Sequence, residues 1–178
     1  MKQLLTTKYG LQNVAVLMDR PPERYTPLNK TAQELFLETL PETKGIDRQT
    51  TKLLVTSTSY TADEPLQPLL DALVKYSESA SSSLPKVLLL ITGRGPMQEY
   101  YRKRILDLRL SDEGNGCTVK MVWLQPEDYP RLLACADLGI SLHTSSSGMD
   151  FPMKIVDLFG CGVPVCAVNF PAYPPYFL

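Results

Sequence analysis

The stretch that decides the fold is SLHTSSSGMDFPMKIVDLFGCGVPVCAV, residues Ser141–Val168. It starts in an apolar run, passes through three serines and a glycine into a segment with helical spacing, and ends in a second apolar run. Strand, loop, helix and strand in this order form the repeating unit of a parallel sheet covered by helices. The small polar residues at the break indicate a sheet edge where backbone amides face a ligand.

The same alternation extends through most of the chain. Apolar runs predict strands at 53–58, 87–92, 119–124, 138–143 and 163–168. Helical spacing between these runs predicts helices near 66–79, 96–109, 127–136 and 152–160. We therefore expect an α/β fold, a Rossmann-like parallel sheet with helices on both faces and ligands at the carboxyl ends of the strands.

The first fifty residues are less regular. A buried strand is predicted at Val14–Asp19, and three prolines in the following RPPERYTPLN exclude regular structure there. A helix is predicted at Thr31–Leu40 with Leu35, Phe36 and Leu40 on its apolar side. A polar linker follows, and Trp123, much later in the chain, is interpreted as a core residue.

Composition bounds the possible functions. The 178 residues carry a formal net charge of −1, so no long-range field attracts nucleic acid or anionic lipid. The four cysteines show neither CxxC spacing nor a Cys/His zinc pattern and are interpreted as reduced thiols. No apolar run approaches the roughly 20 residues of a membrane span. We expect no metal and no cofactor.

TGRGP, Thr92–Pro96, places Gly93 and Gly95 between a predicted strand and helix, with Arg94 between them. Glycine permits close approach of a ligand to the backbone, so both glycines and Arg94 are candidate binding residues. A tight turn with an exposed arginine explains the pattern equally well. A nicotinamide-dependent dehydrogenase is disfavoured, because Gln98 stands where GxGxxG needs its third glycine.

HTSSSGMDFPMK is more specific. Ser145, Ser146, Ser147 and Gly148 allow amides to converge on an anion, and the following helix presents its positive N-terminal end. Lys154 in the first helical turn adds a full charge, and Asp157 one turn later is able to accept hydrogen bonds from a ribose. These groups suit a nucleoside diphosphate. The alternative is a solvated loop with an exposed Lys154–Asp157 pair.

These segments carry a family resemblance. SLHTSSSGMDFPMKIVDLFGCGVPVCAVNF resembles the nucleotide-sugar-binding domain of the chitobiosyldiphosphodolichol beta-mannosyltransferases, and TSTSYTADE, LLLITGRGP and EDYPRLLACADLGISLHTSSSG fit the same family in the same order. VAVLMDRPPERYTPL resembles the segment that joins its two domains. The resemblance implies the C-terminal domain of a GT-B fold, with residues 1–50 as a remnant of the interdomain segment and 51–178 as an incomplete nucleotide-sugar-binding domain.

The resemblance implies an inverting glycosyltransferase that moves mannose from GDP-mannose to dolichol-diphosphate-linked chitobiose, forming a beta-1,4 linkage in N-glycan precursor assembly. It implies that the enzyme acts at the cytosolic face of the endoplasmic reticulum membrane. The alternative is that this chain is located in the cytosol. The acceptor is expected to bind the N-terminal domain that this chain lacks, and other mannosyltransferases of the pathway are further expected partners. The donor-binding residues are expected to be Ser59, Gly93, Arg94, Gly95, Ser145, Ser146, Ser147, Gly148, Lys154 and Asp157.

The chain departs from the family pattern in its acids and bases. Related GT-B families carry two glutamates separated by seven residues, whereas six residues separate Asp150 and Asp157 here. STSYTADEPLQ has no basic residue where many relatives have one, so phosphate neutralisation falls on Lys154 and Arg94. The catalytic base is not identified; His143 and Asp150 are the weak candidates. A catalytically inactive paralogue that binds a nucleotide sugar or a partner is the alternative function.

Overall fold

The structure is a computed structural model that describes residues 2–15, 17, 19–79, 84–114, 116–144 and 151–169. The strands are β1 Thr51–Ser57, β2 Lys86–Thr92, β3 Cys117–Val122, β4 Leu138–Ser141 and β5 Val165–Ala167. The helices are α1 Lys2–Tyr9, α2 Lys30–Thr39, α3 Gln67–Ser79, α4 Gln98–Asp107, α5 Asp128–Cys135 and α6 Met153–Gly160. Within the described ranges, no helix combines the length and apolar character needed to cross a membrane.

The five strands form one parallel sheet in the order β3-β2-β1-β4-β5. The predicted α/β class and parallel sheet are confirmed. The strand order reverses between β1 and β4, because the chain first moves outward to β3 and then returns to the other side of β1. Open sheets of this kind bind ligands in the crevice that such a reversal leaves at the carboxyl ends of the strands.

Successive side chains of each strand point to opposite faces of the sheet and form two hydrophobic layers, one on each face. Leu88 and Leu90 of β2 pack with Leu53 and Val55 of β1 in the layer that contains Phe36. Burying one such side chain contributes about 1.5–3 kcal/mol. The opposite layer contains Val87, Leu89, Ile91, Val119 and Ile140. Both faces are therefore apolar, which explains the uninterrupted apolar runs in the sequence.

The proline-rich segment at residues 20–28 has no regular structure, but it is seated on the turn that follows α6. A Cβ atom on Gly160 would lie 2.6 Å from Pro21, and one on Gly162 would lie 3.2 Å from Pro27. Tyr25 of the same segment is buried and packs edge-on against Tyr129 of α5, with ring centroids 6.2 Å apart. The segment is thus part of the folded domain.

Several expectations for individual residues were wrong. The strand predicted at Val14–Asp19 is not formed at its described residues, which belong to none of the five strands of the sheet, and Leu17 is 96% exposed. On α2 the buried pair is Phe36 and Leu37, while Leu35 faces solvent. Trp123 is 55% exposed, because β3 ends at Val122 and the indole stands beyond the sheet.

Candidate functional site

A cleft of about 490 Å³ opens at the carboxyl ends of β1 and β2, beside the point where the strand order reverses. This volume lies within the range of small-molecule sites. The lining residues come from the last residues of β1 and β2, from the loops that follow them, and from α5 and α6: Ser57, Thr58, Ser59, Glu64, Thr92, Gly93, Arg94, Tyr129 and Lys154. The structure thus brings together four of the predicted binding residues, Ser59, Gly93, Arg94 and Lys154.

The two glycines of TGRGP are required by contact between two loops. A Cβ atom on Gly93 would lie 1.9 Å from the carbonyl oxygen of Thr58, and one on Gly95 would lie 1.6 Å from that of Ser59. The Thr58 N–H also donates to the Thr92 carbonyl at 2.9 Å, so the loops after β1 and β2 are joined directly. Both glycines therefore allow the two loops to pack together, and Gly93 itself lines the cleft.

Glu64 is the centre of the cleft's hydrogen bonding, although the sequence did not single it out. Its Oε2 accepts from the Ser59 N–H at 2.7 Å and from the hydroxyls of Ser59 and Thr58 at 3.0 Å each. Its Oε1 accepts from Lys154. Burial raises the pKa of Glu64, but Lys154 and the other donors lower this pKa by more, so the carboxylate is ionised at neutral pH.

Lys154 reaches across from the first turn of α6 to the end of β1. Its ammonium pairs with Glu64 and donates to the Ser57 carbonyl at 3.0 Å. A lysine ammonium has three donors. Within the part of the chain that the structure describes, two of them have protein acceptors, and the side chain keeps 20% of its surface exposed at the cleft. Lys154 is therefore held in place beside the space where a ligand would lie.

Arg94 forms the outer corner of the cleft with the exposed tryptophan. Its guanidinium lies over the Trp123 ring, 3.9 Å from the ring centroid. This cation–π contact holds a long, exposed side chain at the cleft mouth without removing its charge. Trp123, interpreted from the sequence as a core residue, therefore contacts an arginine that lines the cleft.

Asp157 lies one turn after Lys154 but is not among the residues that line the cleft. Burial raises the pKa of its carboxyl group, and interactions with the Tyr25 hydroxyl and the Arg24 charge offset this only in part. Its charge also acts on Tyr129, whose pKa is raised to about 12, mainly by burial. The Tyr129 hydroxyl shares a 2.7 Å hydrogen bond with Ser57. Asp157 thus lies near Tyr129, which lines the cleft, and near Arg24 and Tyr25 of the proline-rich segment.

The remaining predicted residues divide into two groups. His143 is described; its Nδ1 lies 3.6 Å from Asp63 Oδ2 and 3.7 Å from Glu64 Oε1, so it borders the cleft on the carboxylate side. The other predicted residues lie outside the described ranges: Ser145, Ser146, Ser147, Gly148 and Asp150. Among the residues that are described, no group of three or more His, Cys, Asp or Glu side chains is arranged to hold a metal ion.

A second cavity, of about 380 Å³, lies at the opposite edge of the sheet, near the starts of β1, β2 and β3. Its lining charges are balanced between three lysines and three acids: Lys44, Lys86, Lys120, Glu42, Asp47 and Glu113. Lys120 and Glu113 form an ion pair of 3.1 Å there. This pair resembles Lys154–Glu64 in chemistry but lies at the amino ends of the strands, away from the crevice that the topology creates.

Solved structures with this arrangement of sheet and helices identify the fold. The C-terminal domain of a group 1 glycosyl transferase from Francisella tularensis superposes with a TM-score of 0.59 at 11% identity, covering 90% of this chain and 75% of that one. HepE of Anabaena, solved with UDP and glucose, superposes with a TM-score of 0.64 at 20% identity, covering 89% of this chain and 39% of that one. The fold is that of a Rossmann-like domain of the GT-B glycosyltransferases.

Within this class the sequence is similar to the chitobiosyldiphosphodolichol beta-mannosyltransferases, and the resemblance inferred from the motifs is confirmed. The chain is 45% identical over 174 residues to the protein of that name from Candida albicans and 44% identical over 180 residues to that from Debaryomyces hansenii. Each alignment covers 97% of this chain and 37% of the relative, so the chain spans little more than a third of their length. No protein-family model matches the chain.

Proposed function

We propose that this chain forms the donor-binding part of a mannosyltransferase that transfers mannose from GDP-mannose to dolichol-diphosphate-linked chitobiose, with inversion and a beta-1,4 linkage. The observation that carries the proposal is the cleft at the strand-order reversal, where Lys154 is held beside open space. The names of the relatives supply the acceptor and the sugar. We further propose that this mannosyltransferase acts at the cytosolic face of the endoplasmic reticulum membrane, as the family resemblance implies, with other mannosyltransferases of the pathway as partners.

In this proposal the diphosphate lies between the loop after β1 and the start of α6. Lys154 and Arg94 offset its charge, with the amides of Ser145–Gly148 as the expected third group. Stabilising the negative charge that develops on the departing diphosphate is the main contribution that such a site makes to glycosyl transfer. His143 and Asp150 stay candidates for handling a proton, and Asp157 stays a candidate for the ribose.

Calorimetry on the purified chain tests the proposal. GDP-mannose and GDP are expected to bind at a single site, and UDP-glucose is expected to bind more weakly because both its base and its sugar differ. Circular dichroism and a cooperative unfolding transition establish that the chain is folded. A folded chain that binds neither GDP nor GDP-mannose contradicts the proposal.

The ribose assignment is tested by Asp157→Asn. If Asp157 accepts hydrogen bonds from the ribose, its neutral amide should bind GDP about ten-fold more weakly, because a charge-assisted hydrogen bond contributes roughly 1.5–3 kcal/mol. A GDP analogue without the ribose hydroxyls should be much less sensitive to the change. Equal weakening for both ligands would instead assign Asp157 to the support of Tyr25 and Tyr129.

A further inference from the structure

We infer that Glu64 is a specificity-determining residue that weakens binding of the free nucleoside diphosphate relative to the nucleotide sugar. The inference rests on the proposed donor site and adds to it a residue with no place in the expected binding set. Glu64 is the one acidic side chain among the nine that line the cleft. It places a negative charge beside the lysine that is expected to meet the phosphates.

The charge on Glu64 is built into the fold. The side chain is 8% exposed and four hydrogen bonds converge on its two oxygens, three of them from the loop after β1. A carboxylate held by so many donors keeps its negative charge at neutral pH and its position when a ligand arrives. The structure therefore supplies a fixed anion at the wall of a cleft proposed to bind anions.

This carboxylate changes the balance of charge that a ligand meets. Lys154 is paired with Glu64, so the two groups together have no net charge. Asp63, 53% exposed, lies beside them near His143. Arg94 at the cleft mouth is then the unmatched cation among the described lining residues. The site attracts an anionic ligand by hydrogen bonding and by a modest charge, and each added negative charge on the ligand meets Glu64 as a repulsion.

The donor and the released product differ in that added charge. In a nucleotide sugar the terminal phosphate is esterified and carries one negative charge. In a free nucleoside diphosphate the terminal phosphate has a second ionisable proton with a pKa of about 6, as phosphate monoesters do. Most of these protons are lost at neutral pH, so the free diphosphate carries close to one more negative charge than the nucleotide sugar. Glu64 therefore repels the product more than the donor. A weakened product complex favours release, a step that limits turnover in many transferring enzymes.

The experiment measures dissociation constants of GDP and GDP-mannose for wild type and Glu64→Gln by calorimetry at pH 7.5. The variant is expected to shift the ratio of the two affinities toward GDP by about three- to ten-fold, the size of a single-charge repulsion across several ångströms at intermediate dielectric. Glu113→Gln neutralises an acid that pairs with a lysine at the opposite sheet edge and should leave the ratio unchanged. An unchanged ratio in Glu64→Gln, with both ligands bound, overturns the inference.

A second measurement repeats the comparison across pH. GDP gains its extra charge between about pH 5 and pH 8, whereas GDP-mannose does not. Lys154 and Arg94 attract this charge and Glu64 repels it, so removing the Glu64 charge should favour GDP more at pH 8 than at pH 5. If Glu64→Gln does not fold, Lys154→Met/Glu64→Gln is compared with Lys154→Met at the same two pH values. An effect of the Glu64 change that is equal at both pH values contradicts a repulsive role for Glu64. Absence of binding by both ligands to folded wild type contradicts the donor site itself, so the two failures are distinguishable.

Discussion

Replacing Gly93 with alanine is expected to lower the free energy of unfolding by about 4 kcal/mol or more, at the upper end of the range for single substitutions. Two effects combine at this position. The backbone φ of Gly93 is +125°, a conformation that residues with a side chain rarely adopt. The new Cβ would also lie 1.9 Å from the Thr58 carbonyl oxygen. Because the opposing atom belongs to the backbone, the loops after β1 and β2 must separate. Urea unfolding followed by circular dichroism measures the loss.

Gly114 offers a matched control for this substitution. Its φ is +120°, almost the same as that of Gly93, but a Cβ atom there would have no neighbour within 4 Å. Gly114→Ala therefore carries the conformational strain alone, about 1–3 kcal/mol. The difference between the two variants isolates the contact between the loops. Equal losses would show that φ, and not the close approach to Thr58, accounts for the glycine in this strand-to-helix turn.

Replacing Lys154 with methionine is expected to weaken GDP binding by ten-fold to about a hundred-fold. Methionine keeps the length of the side chain but removes the ammonium, and a hydrogen bond to a charged group contributes roughly 1.5–3 kcal/mol. The variant also leaves the Glu64 carboxylate without its lysine, so the repulsion of the diphosphate increases. Calorimetry with GDP measures the change.

Lys120→Met is the control, because Lys120 also pairs with a glutamate, Glu113, but at the opposite edge of the sheet. It should bind GDP as wild type does. The double variant Lys154→Met/Glu64→Gln should recover part of the lost affinity, since it removes the carboxylate that Lys154 neutralised. Unchanged GDP affinity in Lys154→Met would place the diphosphate elsewhere in the cleft.

The sheet was predictable because its strands are buried on both faces. Continuous runs such as VLLLIT need no partner to be recognised, and all five predicted strands are present, with bounds shifted by a few residues. Residues whose environment depends on distant neighbours were less predictable. Trp123 is apolar and aromatic, yet it is exposed because β3 ends at Val122. Its ring contacts Arg94, which lies in the loop after β2. Leu17 also lies in an apolar run, yet it is exposed.

The position of the cleft was predictable, but its electrostatics were not. Gly93, Arg94 and Lys154 were predicted to be binding residues because glycines and cations near strand ends are typical of anion sites, and the structure places all three at the cleft. Glu64 was missed because its partner Lys154 is 90 residues away, and no local spacing connects them. One hint was present in the sequence. STSYTADEPLQ has two acids and no base, and the structure shows that Glu64 of this stretch pairs with the lysine on α6.

The close approach of Pro21 to Gly160 and of Pro27 to Gly162 places the proline-rich segment against the end of α6. Lys154 lies in the first turn of this helix, and the two glycines lie at its other end and just beyond it. Tyr25 adds a second point of attachment through Tyr129, whose hydroxyl is bonded to Ser57 at the cleft. The proline-rich segment is thus attached to both helices that line the cleft, to α6 through its end and to α5 through Tyr129.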